Sequence, residues 1–147
     1  MKEGKSLKAR ALDLLARREY SRLELKRRLA PHAESEDEID SLLAELSDRQ
    51  WQSDERYAEA FIHSKSRSRG RLRLQQELAA KGVDESLVRA NLPDRDTELA
   101  NALAVLHKKF AAPPQDFQEK QKQIRFMLYR GFEMDIVQAA LKEEWPQ

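Results

Sequence analysis

SDERYAEAFIHSKSRSRGRLRLQQELAAKGV, residues 53–83, decides how this chain is read. It has the pattern of a helix, a basic hinge and a second helix. Ser53 suits an N-cap, because its side-chain oxygen is placed to accept an orphan backbone N–H. Asp54 and Glu55 then put negative charge at the positive end of the helix dipole. Tyr57, Ala58, Phe61 and Ile62 fall on one helical face and are expected in the core. Ser64 to Arg69 alternates serine with base and ends at Gly70. In the second helix Leu74 and Leu78 lie four apart. Gly82 stands where a helix end wants a residue that tolerates the left-handed conformation.

Outward from this stretch the pattern repeats. Ala33, Gly82 and Gly131 are separated by 49 residues each. At the same interval stand Leu29, Leu78 and Met127, then Ile39, Val88 and Val137, then Leu43, Leu92 and Leu141. GVDESLVRANL at 82–92 aligns with GFEMDIVQAAL at 131–141 without a gap. Four columns in register across three copies exceed what unrelated amphipathic helices share. The chain is therefore expected to be all-α, with three tandem three-helix, helix-turn-helix-like repeats at 6–50, 53–92 and 94–145 after a flexible N-terminus at 1–5. Leu7, Ala11, Leu14 and Leu15 mark the first helix. Leu25 and Leu29 mark the second, which ends before Pro31. Ser35 with Glu38 reads as a capping box for the third, whose face is Ile39, Leu42, Leu43 and Leu46. Phe117, Ile124, Met127 and Leu128 form a later face, and Trp51 and Trp145 are expected to pack between helices. A repeat this short buries little surface alone, so stacked neighbours complete each core, giving an elongated, curved array.

Asp54, Glu55, Tyr57, Ala58, Phe61, Gly70, Lys81, Gly82 and Val83, in this order and around the basic gap, resemble the core of the RecX family, regulators of the RecA recombinase. The resemblance covers nearly the whole chain and implies the same tandem three-helix arrangement. It implies docking in the helical groove of the RecA filament on single-stranded DNA. There the protein would limit filament growth or the recombinase and coprotease activities, in DNA repair, homologous recombination and the SOS response.

Composition and motif content fit a binder. The 147 residues are 36% charged and include no cysteine, which excludes disulfides and thiol catalysis and suits a reducing cytoplasm. No apolar run approaches the roughly 20 residues of a membrane span. Met1 to Lys5 lacks the apolar core of a signal peptide. His32, His63 and His107 share no ligand spacing, and no phosphate loop, nucleophile elbow or zinc-protease motif occurs. The carboxylates from Glu34 to Asp40 are a solvated run at a helix start. No catalytic constellation is present, so neither enzyme activity nor a cofactor or metal is expected.

Charge is segregated along the chain: +6 over residues 1–30, −8 over 31–60, +5 over 61–82, −3 over 83–119 and +1 over 120–147. Base also follows the repeat. Arg22, Arg71 and Lys120 share a column, as do Lys81 and Arg130, with His32 in the first copy. Arg27 and Arg125 share another, broken by Gln76, and Arg73 and Lys122 a fourth, broken by Glu24. For a single Lys or Arg, a solvated helix face is explanation enough. A basic site repeated along an array suits a repeated acidic target. The residues expected to bind a RecA–DNA filament are Arg22, Arg27, Lys65, Arg67, Arg69, Arg71, Arg73, Lys81, Lys120, Lys122, Arg125 and Arg130. The implied partner is the RecA filament on single-stranded DNA, met by a monomer with weak direct DNA binding and no membrane. The competing reading is a tandem helix-turn-helix protein that reads duplex DNA. Its recognition helix would begin with Asp84-Glu85 and carry only Arg89 as base, whereas base readout wants Arg, Lys, Asn or Gln at that end.

Overall fold

The computed structural model describes residues 4–146. Met1–Glu3, part of the expected flexible N-terminus, and Gln147 lie outside the described residues. Among the described residues there are nine α-helices and no strand: α1 Leu7–Arg17, α2 Arg22–Leu29, α3 Glu36–Asp48, α4 Asp54–Lys65, α5 Arg71–Ala80, α6 Glu85–Asn91, α7 Arg95–Lys109, α8 Phe117–Tyr129 and α9 Met134–Lys142. They fall in threes, as the 49-residue period requires. The chain divides into two compact units. One runs through Ala60 and takes in Leu78–Val88; the other takes in Phe61–Glu77 and the chain from Arg89 onward.

In the first unit α2 packs on both α1 and α3. Its core is Ala11, Tyr20, Leu25, Leu29, Ile39, Leu42, Leu43 and Leu46. A serine caps the start of each of these three helices. Ser6 Oγ accepts from the Ala9 N–H at 3.1 Å. Ser21 and Glu24 form the reciprocal capping box, at 3.1 and 3.0 Å. At Ser35 the expected box is only half made. Its hydroxyl accepts from the Glu38 N–H, but the Glu38 carboxylate reaches the N–H of Glu34 instead. Tyr57 and Ala58 are buried here. Trp51 is 41% exposed and does not pack between helices, because Arg49 and Lys8 flank its ring at 4.9 and 5.7 Å.

In the second unit α7, α8 and α9 pack on one another around Ala102, Val105, Leu106, Ile124, Met127, Phe132, Ile136, Val137 and Ala140. Trp145 does pack inward, with its ring 4.4 Å from that of His107. Phe61 is only half-buried, although Ile62 beside it is in the core. Phe117 is 73% exposed because it is the first residue of α8, ahead of the turns that meet α7 and α9.

The repeat columns explain the fold in physical terms. Leu29, Leu78 and Met127 are buried, and so are Ile39, Val88 and Val137. Gly82 and Gly131 adopt φ of +77° and +94°, which a residue with a Cβ rarely accepts. Ala33, in the same column, is extended at φ −93° after a 3-10 turn, Ala30–His32, so it needs no glycine.

Candidate nucleic-acid interface

The basic columns coincide with a hydrogen-bonded interlock that occurs once in each unit. In the first unit, Ser21 Oγ donates to the Lys81 carbonyl at 2.8 Å, and the Arg22 N–H donates to Asp54 Oδ1, also at 2.8 Å. A Cβ on Gly82 would stand 2.8 Å from Leu23 Cβ. The second unit has a like arrangement, with Gly70, Arg71 and Arg130 standing 49 residues after Ser21, Arg22 and Lys81 and the carboxylate, Glu98, 44 after Asp54. The Gly70 N–H donates to the Arg130 carbonyl at 2.8 Å, the Arg71 N–H to Glu98 Oε1 at 2.7 Å and the Leu72 N–H to the Gly131 carbonyl at 3.1 Å. A Cβ on Gly131 would stand 2.6 Å from Arg73 N, and one on Gly70 would run into the Gly131 backbone. The start of each middle helix is thus completed by the next repeat: by the carbonyl that ends its middle helix and by a carboxylate from its first helix. Helix starts leave N–H groups unsatisfied, so these acceptors fix position strongly. The α8 start lacks the device. Its helix begins at Phe117, upstream of the repeat register, and the Lys120 N–H is already bonded inside the helix to the Asp116 carbonyl at 3.0 Å.

The interlock sorts the expected contact residues. Arg71 pairs with the buried Glu98 at 3.8 Å and donates to the Pro93 carbonyl at 2.7 Å. Arg69 and Arg73 both pair with Glu77. Arg73 also donates to the Tyr129 carbonyl at 3.3 Å, its guanidinium 5.1 Å from the Tyr129 ring. Lys81 lies 3.6 Å from Glu24. Each of these four side chains is paired with a carboxylate within the fold, Arg69 and Arg73 sharing one. Arg130 donates to the Ser68 carbonyl at 3.2 Å and sits 5.1 Å from the Phe126 ring centroid. Lys65 is half-buried beside Ser68 and Arg69, whose N–H groups its carbonyl accepts. Arg22, Arg27, Arg67, Lys120, Lys122 and Arg125 are exposed and form no ion pair among the described residues. Arg22 and Arg27 belong to the first unit, and the other four to the second. Lys122 and Arg125, three apart, share a face of α8.

Two basic residues outside the expected set join this surface. Lys108 and Lys109, at the end of α7, line a notch of about 340 Å³ with Arg67, Phe126 and Arg130. The net −3 of residues 83–119 hides them. Their adjacency at a helix end was the available signal, since cations favour that end of the dipole.

Three groups, Glu98 and Tyr57 buried and Glu24 half-buried, are electrostatically displaced. Burial raises the Glu98 carboxyl above its ordinary 4.5, outweighing the Arg71 N–H and guanidinium that favour its charge; Glu133 and Asp135 push it the same way. Burial also pushes Glu24 upward, but the Ser21 N–H, Arg18 and Lys81 together hold it below 4.5. Tyr57, buried beside Glu24, is raised to about 12. Among the described residues no cluster of three or more His, Cys, Asp or Glu has the arrangement to hold a metal ion. No helix among them is long and apolar enough to cross a membrane.

Comparison with known proteins agrees with this geometry. Profiles of the first, second and third three-helix domains of RecX match residues 8–46, 53–92 and 96–141. The regulatory protein RecX of Neisseria meningitidis serogroup A is 58% identical over 147 residues, covering 100% of this chain and 96% of that protein. The regulatory protein RecX of Chromobacterium violaceum is 50% identical over 139 residues, covering 95% and 91%. The crystal structure of RecX from Lactobacillus salivarius superposes with a TM-score of 0.82 over 92% of each chain at 20% identity, which speaks to the fold. With its three matched domains and its interlocked repeats, the chain belongs to the RecX family of regulatory proteins.

Proposed function

We propose that this chain is a non-enzymatic regulator that docks on the RecA filament formed on single-stranded DNA and limits filament growth, with the recombinase and coprotease activities that depend on it. It works as a cytoplasmic monomer without a cofactor. The observation that carries the reading is the sorting of the basic residues. Arg69, Arg71, Arg73 and Lys81 are spent inside the fold, while Arg22, Arg27, Arg67, Lys120, Lys122 and Arg125 face solvent without a carboxylate partner among the described residues. Exposed base free of internal neutralisation supports attraction to a polyanionic surface. The duplex-reading alternative has less support: α6, Glu85–Asn91, is short and acidic in its first turn.

The test is co-sedimentation of the full chain with RecA filaments on single-stranded DNA, beside DNA alone and RecA alone. The wild type is expected in the filament pellet. Lys122→Glu with Arg125→Glu should weaken capture about tenfold at unchanged helix content. Binding that follows duplex sequence without RecA, or no capture by filaments, refutes the proposal.

A further inference from the structure

We infer that the notch between the Arg67–Ser68 turn, the end of α7 and the Phe126–Arg130 side of α8 holds successive phosphodiesters of a single DNA strand. This rests on the filament reading above and says where in it the nucleic acid lies.

Four cations, Arg67, Lys108, Lys109 and Arg130, line this one notch of about 340 Å³. None of the four forms an ion pair among the described residues, although their neighbours Arg69, Arg71 and Arg73 each do. A helix C-terminus accounts for Lys108 and Lys109. It accounts likewise for Arg130, the C-cap of α8, but not for the gathering of these three with Arg67 around one notch. Two of the four are held in place. Arg130 donates to the Ser68 carbonyl and lies 5.1 Å from the Phe126 ring centroid, and Lys109 Nζ lies 5.5 Å from the same ring. The aromatic platform orders both cations before a ligand arrives, so binding loses less side-chain entropy. Like charges gathered in a concavity raise its potential and call for a ligand of repeated negative charge. A single carboxylate does not fill that need: Glu77 alone is shared by two arginines elsewhere in this unit. Consecutive backbone phosphates do. Arg130 offers a flat donor fork and the lysines mobile ammonium groups, a set that grips phosphate oxygens.

The test measures fluorescence anisotropy of a labelled oligo-dT with the full chain across a salt series, beside filament co-sedimentation. Lys108→Ala with Lys109→Ala should weaken oligonucleotide binding about tenfold at low salt. It should reduce the log–log salt slope by about 1.4, at about 0.7 per phosphate contact on a single strand. Lys108→Arg with Lys109→Arg should restore both. If the alanine pair leaves slope and affinity unchanged, the notch is refuted while the filament reading stands. If the wild type binds filaments but not oligo-dT, and the alanine pair fails on filaments, the notch grips acidic protein and the phosphodiester assignment is overturned. A wild type that binds neither refutes both readings.

Discussion

Replacing Glu98 tests the interlock at its buried carboxylate. The side chain is 3% exposed, accepts the Arg71 N–H at 2.7 Å and lies 3.8 Å from the Arg71 guanidinium. Alanine removes the charged acceptor of a helix-start N–H, worth about 1.5–3 kcal/mol. The ion pair adds little, because the Arg71 side chain is 33% exposed and solvent screens it to below about 1 kcal/mol. The expected loss for Glu98→Ala is about 3 kcal/mol, a fall of about 6–12 °C in Tm for a chain of this size. Glu98→Gln keeps an acceptor oxygen in place and should cost about 1 kcal/mol or less. The sign with pH follows from the raised carboxyl. Its contribution is fully present below 4.5 and is lost as pH rises through the folded-state value. Glutamine carries no such loss, so the stability of Glu98→Gln relative to wild type should improve from pH 4.5 upward and then level off. Urea unfolding followed by far-ultraviolet circular dichroism at several pH values reads all three quantities. A Glu98→Ala loss below about 0.5 kcal/mol, a glutamine variant as damaged as alanine, or a relative stability that moves the other way with pH would refute the reasoning.

Two further outcomes follow from the geometry. Gly131→Ala should cost about 3–5 kcal/mol, combining a left-handed φ with a clash against the Arg73 backbone. Gly82→Ala should cost less, because its nearest contact is the Leu23 side chain; denaturant midpoints that reverse this order count against the interlock. Tyr57, raised to about 12, should add stability below pH 10 that is lost as pH climbs through 12. Tyr57→Phe should abolish that loss, and a phenolate absorbance transition for Tyr57 near pH 10 would refute the burial argument.

Much of the fold is legible in the chain because it rests on periodic apolar burial. The Leu29, Leu78, Met127 column and the Ile39, Val88, Val137 column announce the three copies, and all six side chains are buried. Carboxylate partners are not legible in this way. Nothing in the sequence pairs Arg71 with Glu98, 27 residues on, or Arg22 with Asp54, 32 residues on, since a capping acceptor need only reach one N–H. Base recurring at Arg22 and Arg71, or at Lys81 and Arg130, reads as a repeated contact surface. The structure shows that the backbone groups of these same residues make the interlock, so their recurrence has a packing cause as well. The Lys108–Lys109 notch escapes a reading by segment charge because it gathers residues from three helices' ends and turns. Phe117 and Leu128, at 73% and 39% exposed, show that helical spacing marks a face but not how far along the helix its neighbours reach.

The interlock also sets an order of events. A ribosome delivers the chain from its N-terminus, yet the first two middle helices, α2 and α5, are finished by residues made later. The start of α2 waits for Asp54 and for Lys81, 60 positions beyond Ser21. The start of α5 waits for Glu98 and Arg130. A nascent chain therefore carries α2, and then α5, with an open N–H at its start until the following repeat has emerged. Closure of these long loops costs chain entropy that only completed packing repays. Vectorial synthesis thus makes each repeat the last step in folding its predecessor.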